Sequence, residues 1–214
     1  GFPTAQISDI YLFFAQTLRR FCSFNIAMEF NEANLKIWQD SAKTHFIASI
    51  YDEIGYLNRT LGKIKIAKEY YEWAFEIRKE QLSPNHVAVA MSYNNLGTVF
   101  RVTGDLEKAK EYHQWALKIR KEQLGTTHVD VAMSYNNLGV VCSATGDLEK
   151  AKEYHQWALE IRKEQLGPNH VHVAMSYNNL GIVCDATGDL EKAKEYYQWA
   201  LKITKEQLGP NHVD

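Results

Sequence analysis

The chain has 214 residues, with 24 Lys+Arg against 26 Asp+Glu and a formal net charge of −2. So balanced a chain has no field to steer a polyanion, and nucleic acid is not an expected partner. Its hydrophobic fraction of 45% is that of a folded chain rather than a disordered one. No run approaches the ~18 consecutive apolar residues of a membrane span, so no membrane partner is expected.

The opening Gly1-Phe2-Pro3-Thr4 lacks a basic head and a starting Met. It reads as a cut within a longer chain, not as a secretory signal. Cys22, Cys142 and Cys184 have neither the even count of a disulfide framework nor metal-ligand spacing. They imply a reduced protein, and the expected location is the cytoplasm. The sequon Asn58-Arg59-Thr60 falls inside a predicted helix and reads as a chance triplet.

In chain order, a degenerate helical unit begins at Tyr11. Its Tyr11, Phe14, Ala15 and Leu18 match Tyr93, Leu96, Gly97 and Phe100 further on. Cys22 and Asn34 stand where later units have Gly104 and Ala116. Residues 1–50 therefore read as a terminal cap or a junction with an upstream domain. Residues 51–214 read as regular units starting near 51, 93, 135 and 177, the last running into a further unit. Ser92-Tyr93-Asn94-Asn95-Leu96-Gly97 recurs at Ser134 and Ser176, a period of 42 residues. Thr103-Gly104-Asp105-Leu106 recurs at Thr145 and Thr187 with the same period. Self-similarity at such a period means a stacked array.

Each unit reads as two helices. In the first, Val89, Tyr93, Leu96, Gly97 and Phe100 fall on one arc at ~100° per residue. Gly104 supplies a left-handed stop, and Asp105 caps the second helix with Glu107 in its first turn. Lys63 replaces that capping Asp in the second unit. Leu106, Ala109, His113, Ala116, Leu117 and Arg120 share a face of the second helix. Asn85, Thr127, Asn169 and Asn211 stand where the next helix needs a cap. Gly97, Ala109 and Ala116 allow close helix approach, and one unit cannot bury its own apolar face without a stacked neighbour.

Tyr93-x2-Leu96-Gly97-x2-Phe100 followed by Ala109-x6-Ala116 resembles the tetratricopeptide signature, with Tyr in the usual Trp place. The 42-residue spacing and the Ala-Leu-Lys-Ile-Arg-Lys-Glu-Gln-Leu-Gly helix resemble the kinesin light chain and nephrocystin-type subgroup. The resemblance is strong from Tyr51 onward and weak before it. It implies an all-α fold, a right-handed superhelical solenoid of about five helix-turn-helix repeats, and a concave groove lined by the first helices.

Opposite the packing arc lie Met91, Asn95, Thr98 and Val102, flanked by Asn94 and Arg101. The later equivalents include Asn136, Asn137 and Val140, then Asn178, Asn179, Ile182 and Asp185. An amide offers both donor and acceptor, so stacked Asn pairs suit the backbone of an extended peptide. In the resembled kinesin light chains groove Asn residues do this. The changes between near-identical units concentrate at Thr98/Val140/Ile182, Phe100/Cys142/Cys184, Arg101/Ser143/Asp185 and Val102/Ala144/Ala186, and all but the Phe/Cys set lie at or beside this face. The charge runs from Arg59 and Arg101 through Ser143 to Asp185.

Trp73, Trp115, Trp157 and Trp199 form a second ladder, most simply packed on their own unit and the next. His86, His128, His170 and His212 recur in the inter-unit turns, one per period and without carboxylate or Cys partners. That is poor metal geometry, so no metal and no cofactor is expected. No nucleophile, phosphate loop or paired buried carboxylate appears, and an enzyme is not expected. The expected function is an adaptor or scaffold module for protein–protein interaction. The partner is a peptide or protein in the groove, with self-association through uncapped array ends as a further mode. The alternative is a self-associating or autoinhibitory regulatory array of a larger signalling protein.

Overall fold

The computed structural model describes residues 26–29, 31–32 and 45–208. The degenerate first unit therefore lies largely outside the described residues, as do Cys22, Asn211 and His212. The described residues are helical and turn, with no strand among them. Two compact units divide at Gly104 and Asp105.

The first unit holds α1 (His45–Thr60), α2 (Ile64–Gln81) and α3 (Val87–Val102). The second holds α4 (Leu106–Leu124), α5 (Val129–Ala144), α6 (Leu148–Leu166), α7 (Val171–Ala186) and α8 (Leu190–Leu208). Within the first unit α2 packs on α1 and α3, and α1 also touches α3. Within the second, each helix packs on its sequence neighbour, and α5 also touches α7. The second helices of the repeats, α4, α6 and α8, do not touch one another. The first helices of successive repeats thus lie closer together than the second helices.

The turns follow local chemistry. Gly62, Gly104, Gly146 and Gly188 have φ between 75° and 85°, which a side chain would strain. Asp105, Asp147 and Asp189 follow at once, and each accepts from the backbone N–H three residues on. Such a cap is worth about 1 kcal/mol. Lys63, which lacks the chemistry, makes no side-chain cap bond.

One expectation about the turns is corrected. The caps of α3, α5 and α7 are not Asn85, Thr127 and Asn169 but the next residues, His86, His128 and His170. The Nδ1 of each imidazole accepts from the backbone N–H two residues on, at 3.1 Å. Asn169 and its equivalents are exposed turn residues.

The core forms at each junction of three helices. Val131 and Ala132 of α5 meet Ala158 and Ile161 of α6, with Leu117 of α4 packed from the preceding repeat. Val173 and Ala174 of α7 meet Ala200 and Ile203 of α8, with Leu159 of α6 in the same role. Small residues permit close approach at Gly139 and Gly181, whose α-carbons face the rings of His155 and Tyr197. Cys142 and Cys184 are buried free thiols, and Cys142 packs with Ala151 and Val183. Asn58 of the sequon is buried, its amide donating to the Ile54 carbonyl at 2.9 Å.

Candidate peptide-binding face

A buried arginine ties each repeat to the next. Arg78, at 0% exposure, donates to Ser92 Oγ at 2.8 Å. Arg120 donates to Ser134 Oγ at 2.7 Å and to the Asp130 carbonyl at 3.2 Å. Arg162 donates to Ser176 Oγ at 2.7 Å and to the His172 carbonyl at 3.3 Å. The donor lies on a second helix and its partners on the first helix of the next repeat. A buried guanidinium is costly unless its donors are engaged, and these bonds engage one terminal nitrogen of each, while Arg78 Nε and Arg120 Nε stay buried without a hydrogen bond. Burial lowers the Arg162 pKa to about 10, and that of Arg120 in the same direction. Arg162 remains charged at neutral pH.

The same arginines reach the predicted amides. Arg162 donates to Asn136 Oδ1 at 3.3 Å, and that oxygen also accepts from Asn179 Nδ2 at 2.9 Å. In the first unit Asp52 occupies the position of Asn136. It forms an ion pair with Arg78 and accepts from Asn95 Nδ2 at 3.0 Å. Asn136 is thus bound to a core arginine, and Asn179 spans to it from the next repeat, as Asn95 does to Asp52. This link was not anticipated from sequence. Its signal was present, since an Arg precedes a Ser by 14 residues at Arg78–Ser92, Arg120–Ser134 and Arg162–Ser176. In the last repeat Thr204 holds the arginine's place, and Asn178 is exposed.

The predicted residues lie on the first helices of the repeats. Within the first unit Asn94, Asn95 and Arg101 are half-buried on α3, between exposed Met91 and Val102. Within the second, Asn136, Asn137 and Val140 of α5 are half-buried. On α7 Asn179 is half-buried and Asp185 exposed. Met175 and Ile182 there are 48% and 49% exposed. A cavity of about 390 Å³ opens between α7 and α8, with Met175, Asn178, Asn179, Tyr197, Leu201 and Thr204 in its lining. Arg59 lies over the Tyr56 ring at 5.2 Å in the first unit.

The tryptophans sit elsewhere. Trp157 packs on Tyr135 and Tyr154 of its own repeat, with centroids 5.1 and 5.6 Å apart. Trp73 and Trp199 repeat the arrangement with Tyr51 and Tyr70, and with Tyr177 and Tyr196. Each keeps at least 40% of its surface exposed. Among the described residues no helix is long and apolar enough to cross a membrane.

The tetratricopeptide repeat family model matches residues 46–122, 88–164 and 130–206, and the chain belongs to that family. The fold is that of a protein–protein interaction module. Among solved structures, BtubC (BKLC) from P. vanneervenii is similar, with a TM-score of 0.76 and 28% identity over 91% of this chain and 78% of that one. A Podosopora anserina putative kinesin light chain with nearly identical TPR-like repeats has a TM-score of 0.73. It is 18% identical over 92% of this chain and 95% of its own. A Rap protein complexed with competence and sporulation factor has a TM-score of 0.79 and 18% identity, with 92% of this chain matching 53% of that one. No curated protein matches the sequence.

Proposed function

We propose that the chain is an adaptor module that binds an extended peptide, or an extended segment of a partner protein, along the face carried by its first helices. The observation that carries this reading is the surface of α7 and its neighbour α5. Exposed Met175 and Ile182 flank the amides of Asn178 and Asn179, beside an open cavity between α7 and α8, the last described helix pair. Apolar surface interleaved with amides suits a ligand that offers side chains and backbone together. The closer approach of α5 to α7 than of α6 to α8 favours an inward-curving side there. A Rap protein of the same fold was crystallised with competence and sporulation factor, which supports a ligand-holding role.

Asn94, Asn95, Asn136, Asn137, Asn178 and Asn179 supply backbone contacts in this reading. Arg101, Val140, Ile182 and Asp185 set side-chain preference. A ligand carries acidic character toward Arg59 and Arg101 and apolar or basic character toward Ile182 and Asp185. The buried thiols Cys142 and Cys184 favour a reducing compartment, and we place the protein in the cytoplasm.

The test is a peptide recovered by display selection against the chain, measured by calorimetry with the Asn95→Ala/Asn137→Ala double variant. Binding should weaken by at least ~1 kcal/mol, given ~0.5–1.5 kcal/mol per hydrogen bond. Unchanged affinity there, together with loss of binding in a folded Trp115→Ala/Trp157→Ala variant, would move the binding face to the tryptophan ladder and overturn the reading.

A further inference from the structure

A guanidinium carries donors and no acceptor. Arg162 lies within hydrogen-bond distance of Asn136, so Asn136 must turn its oxygen inward. That oxygen then receives the second amide, and Asn179 must approach with its nitrogen. Two groups are left over. Asn136 Nδ2 and Asn179 Oδ1 have no protein partner among the described residues. One is a donor and the other an acceptor, on the first helices of neighbouring repeats.

The first unit gives independent support. There the position of Asn136 is held by Asp52, whose side chain has oxygens only, and the same two kinds of donor meet it, Arg78 and Asn95 Nδ2. The contacts survive the change from amide to carboxylate because oxygen is what the arginine requires. At α7 the arginine is replaced by Thr204, whose hydroxyl donates to its own helix at the Ala200 carbonyl, 2.8 Å away. Among the described residues no hydrogen bond orients Asn178.

We propose that Arg162 is a positioning residue that sets the hydrogen-bond polarity of the binding face. Asn136 presents a donor and Asn179 an acceptor, the complement of the C=O and N–H of one peptide group. The partner's identity as a peptide rests on the function proposed above, but the polarity belongs to the free chain. Arg162 never touches the peptide. It acts by denying Asn136 the flipped orientation, in which an amide nitrogen would face a guanidinium.

Hydrogen exchange at the assigned side-chain amides of the full 15N-labelled chain, with no peptide added, reads this polarity directly. The Asn179 amide should exchange roughly tenfold more slowly than that of Asn136, because only the former donates within the protein. In Arg162→Met the Asn136 amide is free to flip, and the difference should shrink to within about threefold. In Asn136→Asp the Asn179 amide should stay protected, because a carboxylate accepts in either orientation. Protection of Asn136 instead of Asn179, or an asymmetry that persists in folded Arg162→Met, overturns the proposal. If Arg162→Met does not fold, the wild type and Asn136→Asp decide, and loss of Asn179 protection in Asn136→Asp overturns it. Failure of the peptide-binding reading appears in the calorimetric experiment and leaves this exchange pattern unchanged.

Discussion

Gly139 of α5 lies flat against the imidazole of His155 in α6. A β-carbon placed on Gly139 would stand 2.6 Å from the ring's Cε1. Neither side can yield easily, since His155 is 2% exposed and Gly139 is within a helix. Gly139→Leu should therefore cost about 1–3 kcal/mol by overpacking. Asn137→Ala, two residues away on the half-buried face, should cost less. Urea midpoints for the two variants check the ranking, and equal midpoints would contradict this assignment of faces.

The same histidine makes stability depend on pH. Burial, aided by the Arg162 charge, lowers the His155 pKa from 6.5 to about 4. The unfolded chain therefore binds a proton that the folded chain refuses between those values. The contribution is fully present above about pH 6.5 and is lost as pH falls toward 4, at up to ~1.4 kcal/mol per pH unit. Tyr71 and Tyr197 hold the equivalent position in other repeats, so His155→Tyr is a compatible replacement. The difference in urea midpoint between pH 7 and pH 5 should be smaller in His155→Tyr than in the wild type.

Asp52 should tolerate one substitution and not another. Asp52→Asn reproduces the arrangement of Asn136 with Arg162 and should change stability by less than about 1 kcal/mol. Asp52→Ala leaves the fully buried Arg78 only its hydrogen bond to Ser92 and takes away its carboxylate partner, which should cost roughly 3 kcal/mol. Thermal or urea denaturation distinguishes the two, and similar losses in both would show that charge rather than an oxygen acceptor is what Arg78 needs.

Side-chain preference along the proposed binding face has its own signature. Arg101→Glu should weaken a selected peptide that carries acidic residues, with a reduced dependence on salt. Ile182→Asp should weaken binding with little change in that dependence. Calorimetry at two salt concentrations separates them. An identical salt response in both variants would remove the case for a charge preference set by Arg101.

Much of the fold was legible because each repeat restates it. The period, the Gly104-Asp105 turn and its copies, and the apolar arc through Val89 and Leu96 are local signals. The arc's opposite face, with Met175 and Ile182, followed from helical phase alone. The cap residues were misread by one place, because Asn is a common cap and His is not, whereas the backbone puts His128 in the extended conformation that a cap requires. The Arg162–Asn136–Asn179 network was not legible from any single repeat. Helical phase placed Arg120 beside Ala116, but an acceptor for a buried guanidinium comes from two other helices, and only tertiary packing brings them together.

The arginine–serine ties bear on how such a chain can change length. Arg120 and Arg162 each find a serine 14 residues ahead, in the first helix of the next repeat. Excision of residues 121–162 would set Ser176 at that distance from Arg120, in a sequence environment almost identical to the one removed. Unequal recombination between copies can thus add or drop whole repeats while every surviving junction keeps its partner. What changes is the number of rungs offered along the proposed binding face. Ligand length can evolve by gene-level copy number, while ligand chemistry evolves by point substitution at positions such as Ile182 and Asp185.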